Sequence, residues 1–480
     1  MRKTYISILI CLLANFSFAQ TTAIPDTNFE NFLITQGIDT NGANGNILNT
    51  DAETVTSLNI NVDNIVDFTG LEAFVNLEEL SISNNHTIQT LSVSANTKLR
   101  ILDISSYILN PGFVWSPLTT LDLSNNTLLE EITIRDFRNM TTLTLPETNT
   151  LKKVYIYYLE VSDINLSKLN GLEDIYISNS AAPLTNITLP EETQVLKKIF
   201  IGHISIPDIN LSPYTVLEDI ELRITYVENL QLPTTNTLKK LIITWHKIVT
   251  PLSLAGVPEL IDLEISSNQT NVPLQLDITN NVKLVNVNLY SNKMTSINVT
   301  NNALIEDLNI SYNQLPSVNL TNNTLLETLN ASNNVIPNLD ITQNTVLETV
   351  NLSNNLLPNL DVTNNIILGS LNISNNKFTG TGLDLTQNVE LYYLNVSHNQ
   401  IESLNISNCV KLSSFNGSYN LFSGTAILDQ LYVIRLNHSG IINFYLMIML
   451  FILAILKTNI VILLPTCLLQ TPSEAQNYLL

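Results

Sequence analysis

A unit of about twenty-one residues returns along most of this chain, and that recurrence restricts its fold more than any other property. One copy reads Leu326-x-x-Leu329-x-Ala331-x-x-Asn334-x-Ile336, and the next reads Leu347-x-x-Val350-x-Leu352-x-x-Asn355-x-Leu357. Sixteen copies begin at Leu77, Leu99, Leu129, Leu151, Leu172, Leu196, Leu217, Leu238, Leu260, Leu284, Ile305, Leu326, Leu347, Leu368, Leu391 and Leu412. Apolar residues two apart have the spacing of a strand, with the residue between them outside. Two such residues cannot make a core alone. Stacked coils can, by aligning them into one apolar column beneath a parallel sheet with strands about 4.8 Å apart.

Only 13% of the 480 residues are charged, about half the usual share, so Asn, Ser and Thr supply much of the polarity. The first nineteen residues read as an export signal: Arg2 and Lys3, an apolar run from Ile6 to Phe16, then Ser17-Phe18-Ala19. Removing Arg2 and Lys3 takes the net charge from −21 to −23, a balance that excludes nucleic acid and anionic lipid surfaces as partners. Cleavage leaves Cys409 and Cys467, which do not make a disulfide framework.

The repeat resembles that of the leucine-rich-repeat family, specifically its exported bacterial members with short repeats, over roughly residues 24–425. The resemblance implies a solenoid of the α/β horseshoe class, mostly β and turns. A parallel sheet would line its concave face, with a short helical cap at the N-terminus and little regular helix on the convex side. It also implies that Asn268, Asn292, Asn313, Asn334, Asn355, Asn376, Asn399 and Asn420 turn inward and bond the backbone of adjacent turns. Each coil carries the motif twice, as in Ile305-x-x-Leu308-x-Ile310 and Leu315-x-x-Val318-x-Leu320. The resemblance favours the first half as the main strand, and the pattern alone does not decide between them.

The middle coils depart from this pattern. Between Leu129 and Leu238 the Asn position holds Phe137, Leu159, Ser180, Ile204, Thr225 and His246. Their charges alternate: parallel stacking would set Glu130, Lys152, Glu173, Lys197, Glu218 and Lys239 in one row, and Glu131, Lys153, Asp174, Lys198, Asp219 and Lys240 in a second. Alternation specifies register, because uniform Lys or Glu would repel along the row. Asp163 to Ser167 (DINLS) recurs as Asp208 to Ser212, a 45-residue step across two coils, as expected if a two-coil unit was duplicated.

The sequence divides into the signal (1–19), an N-terminal cap (20–60), the solenoid (61–425) and an apolar tail (426–480). In the cap, Thr27-Asn28-Phe29-Glu30 reads as a capping box opening a short helix, with Phe29, Phe32 and Leu33 on one face. The loop that follows, Asp39 to Gly45, looks superficially calcium-like but lacks the acid spacing and late Glu of an EF-hand. In the tail, residues 441–464 are long and apolar enough to cross a bilayer; a buried helical cap and a reading-frame or assembly artefact are the other readings.

No catalytic, cofactor-binding or metal constellation stands out. The five His residues are scattered, and no phosphate loop, zinc-protease helix or nucleophile elbow occurs. A non-catalytic binding protein, exported or at the cell surface, is the reading that fits. The outward column of the late coils is uniform, Asn288, Asn309, Asn330, Asn351, Asn372, Asn395 and Asn416, a strip suited to carbohydrate or to solubility. In the middle coils that column reads Tyr155, Tyr176, Phe200, Glu221 and Ile242, with Tyr157, Tyr158, His203, Trp245 and His246 at further outward or turn positions. Tyr155, Tyr157, Tyr158, Tyr176, Phe200 and Trp245 are therefore the expected anchors for a protein partner. A glycan-binding adhesin and a purely structural surface protein are the alternatives, and mutual packing of these aromatics is the competing explanation of the column.

Overall fold

The computed structural model describes residues 20–106, 115–179, 184–191, 194–379, 382–422, 427 and 430. The expected export signal, the 441–464 stretch and Cys467 lie outside the described residues. Among the described residues no helix is long and apolar enough to cross a membrane. The chain divides into two units, Met1–Gln314 and Leu315–Leu480.

In the first unit twelve parallel strands follow one another in chain order: Ser57–Ile60, Glu79–Ile82, Ile101–Ser105, Glu131–Arg135, Lys153–Tyr157, Asp174–Ser178, Lys198–Gly202, Asp219–Arg223, Lys240–Thr244, Asp262–Ser266, Asn286–Asn288 and Asp307–Asn309. The second unit has Thr328–Asn330, Thr349–Asn351, Ser370–Asn372, Tyr393–Asn395 and Ser414–Asn416 in the same arrangement. Both are parallel β-solenoid stacks with very little helix. The first half of each repeat is the main strand. Its alternation explains the burial, since Leu129, Ile132 and Ile134 have no exposed surface while Glu130, Glu131 and Thr133 between them remain accessible.

The second half of the repeat forms shorter strands, and in the first unit these associate in twos. Thr120–Asp122 pairs with Thr142–Thr144, Asp163–Asn165 with Asn186–Thr188, Asp208–Asn210 with Asn229–Gln231, and Leu252–Ser253 with Leu276–Asp277. The two DINLS copies sit equivalently: Asn186 Nδ2 donates to Asp163 Oδ1, and Asn229 Nδ2 donates to Asp208 Oδ1. The two-coil unit of the sequence is thus a structural module as well.

The charged rows lie in register across the main sheet, Glu131 beside Lys153, Lys153 beside Asp174, and Asp174 beside Lys198. Lys197 Nζ lies 2.8 Å from Glu173 and Lys153 Nζ 3.0 Å from Glu131, while Lys198 is 3.6 Å from Asp219. Arg100, between Glu78 and Glu130, extends the first row by one coil. Lys240 leaves the second row and bonds Glu221 instead. Apart from the half-buried Lys240–Glu221 pair these are surface pairs, so they discriminate between registers more than they stabilise.

Each turn after a main strand must satisfy buried amides, and Asn does this from inside. Asn355 Nδ2 donates to Ala331 O in the preceding coil at 2.9 Å and to Leu352 O in its own at 3.1 Å, while Oδ1 accepts from Ile336 N–H. Asn292, Asn313, Asn334, Asn376, Asn399 and Asn420 occupy equivalent places. Asn268 differs: its amide bonds Val272 O and Thr270 N–H within its own turn. A second inward column, absent from the sequence reading, comprises Asn96, Asn126, Asn281, Asn302, Asn323, Asn344, Asn365 and Asn388, three residues before the next Leu or Ile. Asn302 Nδ2, for instance, donates to Ile278 O and Asn281 O. Cys409 takes this position in its coil, buried and in no disulfide among the described residues, and burial raises its thiol pKa to about 11.

His246, expected at an outward or turn position, has no exposed surface. Its Nδ1 accepts from Ile248 N–H and its Nε2 reaches Asn292 Oδ1 at 3.0 Å, so Nε2 carries the proton. It thereby bridges past the coil of Asn268, whose side chain is occupied locally. Burial lowers the His246 pKa, and the Asn292 bond offsets this only in part. The unfolded chain therefore takes up a proton below about pH 6.5 that the folded chain refuses. The stability that neutral His246 contributes is complete above that pH and lost as pH falls. Denaturant midpoints at pH 7.5 and 5 should fall further for the wild type than for His246→Asn; equal falls would show that His246 is not the acid-sensitive group.

The N-terminal helix, Thr27–Thr35, begins one residue earlier than a Thr27 capping box implies: Asp26 is the N-cap. Its Oδ1 accepts from Asn28 and Phe29 N–H, and its Oδ2 accepts from Val66 and Asp67 N–H, joining the cap to the first coils. Glu30 does not reach back to the helix start. It is buried and accepts from the Asn44 and Gly45 amides, fixing the following loop. Phe29, Phe32 and Leu33 cover the apolar end, with Phe29 against Phe68 at 5.3 Å between ring centres.

Candidate recognition face

The outward residues of the middle strands form columns, because parallel register places position on position. Tyr155 lies beside Tyr176 and Tyr176 beside Phe200, followed by Glu221, Ile242 and Glu264. Tyr176 and Phe200 stack with ring centres 3.9 Å apart and planes 2° from parallel. Tyr157, one column over, leans onto Tyr176 at 4.7 Å, and the Arg135 guanidinium lies 4.5 Å above the Tyr157 ring. Gly202 makes room for this arrangement: a Cβ there would stand 2.7 Å from the Phe200 ring. Arg135, Tyr157, Tyr176 and Phe200 are thus one continuous stack in which the three rings are half-buried and the Arg135 side chain stays exposed.

Tyr155 is drawn to one side, its hydroxyl donating to Asp174 Oδ2 at 3.1 Å. Burial, and then the Asp174 charge, raise its pKa, while burial also raises that of Asp174. Burial opposes ionisation of Glu221, but bonds from Lys240 and Arg223 outweigh it and lower its pKa. Ile242, expected to face outward, is only 7% exposed.

A different backbone feature positions Tyr158, His203 and Trp245. Each is the residue after its main strand and has a positive φ of 55°, 58° and 55°, the left-handed region that non-glycine residues seldom enter. Their amides compensate by donating to the next coil, Trp245 N–H to Ser266 O at 3.0 Å. The turn throws each side chain outward. Trp245 is 44% exposed and borders an open cleft of about 370 Å³ with His203, Arg223, Glu264, Tyr290 and Asn309. Tyr158 faces the Arg138 guanidinium, which also lies 4.1 Å over Trp115.

The face therefore divides into a stack around Tyr176, with Tyr155 beside it, and a rim of left-handed turns carrying Tyr158 and Trp245. Sequence reasoning missed Arg135, Arg138, Trp115 and Tyr290. The arginines left no signal because a cation over a ring depends on lateral neighbours from separate coils. Among the described residues no group of three or more His, Cys, Asp or Glu is placed to hold a metal ion.

The uniform Asn strip has an internal use. Asn351 Oδ1 accepts from both the amide and hydroxyl of Ser353, and Asn309, Asn330, Asn372, Asn395 and Asn416 accept from the Ser two residues on in the same way. Recurrence of Asn-x-Ser is thus a turn motif.

No family model matches the chain, and no match is found among the curated proteins. A leucine-rich-repeat protein of Leptospira interrogans is similar in structure, with 17% identity over 82% of this chain and 97% of that one and a TM-score of 0.51. The functional domain of InlJ from Listeria monocytogenes has 21% identity over 84% of this chain and 77% of its own, with a TM-score of 0.49. The internalin InlF of the same organism has 20% identity over 84% and 96%, with a TM-score of 0.42. The likeness to the Leptospira protein shows the leucine-rich-repeat fold.

Proposed function

We propose that this chain is an exported, non-catalytic binding protein that recognises a protein partner through the outer face of its middle main strands. The anchors are Tyr155, Tyr157, Tyr158, Tyr176, Phe200 and Trp245. One observation carries the reading: aromatic rings replace Asn along consecutive strands of the sheet face, and a rim Trp stays 44% exposed beside a cleft. Exposed rings with little rotamer entropy to lose are the residues that dominate protein interfaces. Mutual packing accounts for Tyr176 and Phe200 but not for Trp245, which has no aromatic partner among the described contacts. The late-coil Asn strip, with its amide oxygens turned to its own Ser residues, is less suited to glycan recognition.

A photo-crosslinking residue at position 245 of the chain in its native cells should give a discrete protein adduct, and one at position 351 should not. Affinity for that partner should fall at least about tenfold, roughly 1.4 kcal/mol, in Trp245→Ala. Equal labelling from both positions, or unchanged affinity with only lowered stability in Tyr176→Ala and Trp245→Ala, ends the proposal. Binding to a glycan array that survives both substitutions would favour the Asn strip.

A further inference from the structure

We infer that the turn from Asp39 to Asp51 binds a divalent cation of the calcium class, held by the Asp39 and Asp51 carboxylates with the Asn41 side-chain oxygen and backbone carbonyls. The turn joins the helix Thr27–Thr35 to a short helix, Asn49–Ala52, and is dense in oxygen donors. Asp39 is 4% exposed; its Oδ1 accepts from Asn41 N–H at 3.2 Å, and its buried Oδ2 has no hydrogen-bond partner among the described residues. An orphaned carboxylate oxygen out of water is costly unless a positive charge meets it. No such charge exists in this part of the sequence: from Gln20 to Thr97 there are ten Asp or Glu and no Lys or Arg.

The surroundings add to the deficit. The Glu30 and Asp51 carboxylates add their negative charge beside Asp39, against which the Asn41 and Gly42 amides supply only partial positive charge. Asp51 is held towards the turn through Thr40, whose amide and hydroxyl both donate to its Oδ2. Gly42 and Gly45, at φ of 77° and 78°, bend the chain around Asp39, and Ile47 pins the far side by pairing with Thr22. Calcium accepts six to eight oxygens from carboxylates, amides and carbonyls alike, so two acids suffice where a cluster of three is absent. The turn has one residue more than an EF-hand loop and ends in Asp instead of Glu, which is why its spacing did not match that motif in the sequence.

The full-length chain, stripped with EDTA and dialysed, should bind calcium chloride at one site in calorimetry, with Kd of about 10⁻⁴ to 10⁻³ M, and melt higher in calcium than in EDTA. Asp39→Asn should lose at least about tenfold in affinity and the calcium-dependent rise, yet melt in EDTA no lower than wild type, since it removes an uncompensated charge. Glu53→Gln, an exposed control nearby, should behave as wild type. No binding by the folded chain up to about 10 mM calcium overturns the inference. So does unchanged affinity in Asp39→Asn, or a lower melting temperature of that variant in EDTA, which would make Asp39 a structural acceptor instead.

Discussion

Asn355→Ala is expected to destabilise the second unit by about 3–5 kcal/mol, although it removes no apolar contact. Three backbone groups depend on this one amide: Ala331 O, Leu352 O and Ile336 N–H. Asn355 is 6% exposed, so water cannot replace the lost bonds without opening the stack. Each orphaned buried group costs about 1–3 kcal/mol. The damage should be local first, since a repeat contacts its own neighbours and can open there before the rest. Hydrogen exchange at Ile336 should accelerate most, alongside a lower midpoint in urea. Asn359→Ala, at an exposed site, should stay within about 0.5 kcal/mol of wild type. A loss under about 1 kcal/mol for Asn355→Ala would mean that the inward amides fill space without holding the turns.

Phe29→Ala should cost a similar amount, about 3–5 kcal/mol, at the other end of the sequence. Phe29 has no exposed surface and meets Phe68, so truncation leaves a cavity between the helix and the first coils. The Asp26 side chain, bonded to Val66 and Asp67, keeps the helix tethered and limits how far the gap can close. Amides of Leu58 and Ile60 should then exchange faster than those of Ile220 and Leu222, deep in the same unit. Uniform acceleration along the unit, or none at all, would refute a capping role for this helix. Asn31→Ala, on the exposed side of the helix, serves as the control.

What could be read from the sequence was whatever repeats. The strand positions and the parallel register follow from the spacing of Leu and Ile, because equivalent residues become neighbours once coils stack, whereas the first half as main strand was implied by the family resemblance and not by the pattern. The second inward Asn column was equally periodic, at three residues before the next Leu or Ile, yet it sits in stretches that also resemble ordinary polar turns. Features depending on one residue in one coil were not legible. His246 looked like a departure from consensus, and only its distance to Asn292 shows it working as a substitute for the missing Asn268 bridge. Ile242 was placed outside by its column and is nonetheless covered. The aromatic column was legible as a list of residues, but the Tyr176–Phe200 stack and the cations over Tyr157 and Tyr158 required lateral geometry.

The paired back strands of the middle block carry a consequence for how such a chain can change length. Excising the coil that starts at Leu172 would bring Lys152 and Lys153 beside Lys197 and Lys198, and would strip Asp163–Asn165 of its mate. Removing that coil together with either neighbour restores both the sign alternation and the back-strand match. Natural variants of this block should accordingly gain or shed coils in even numbers, a parity rule imposed by adjacency alone.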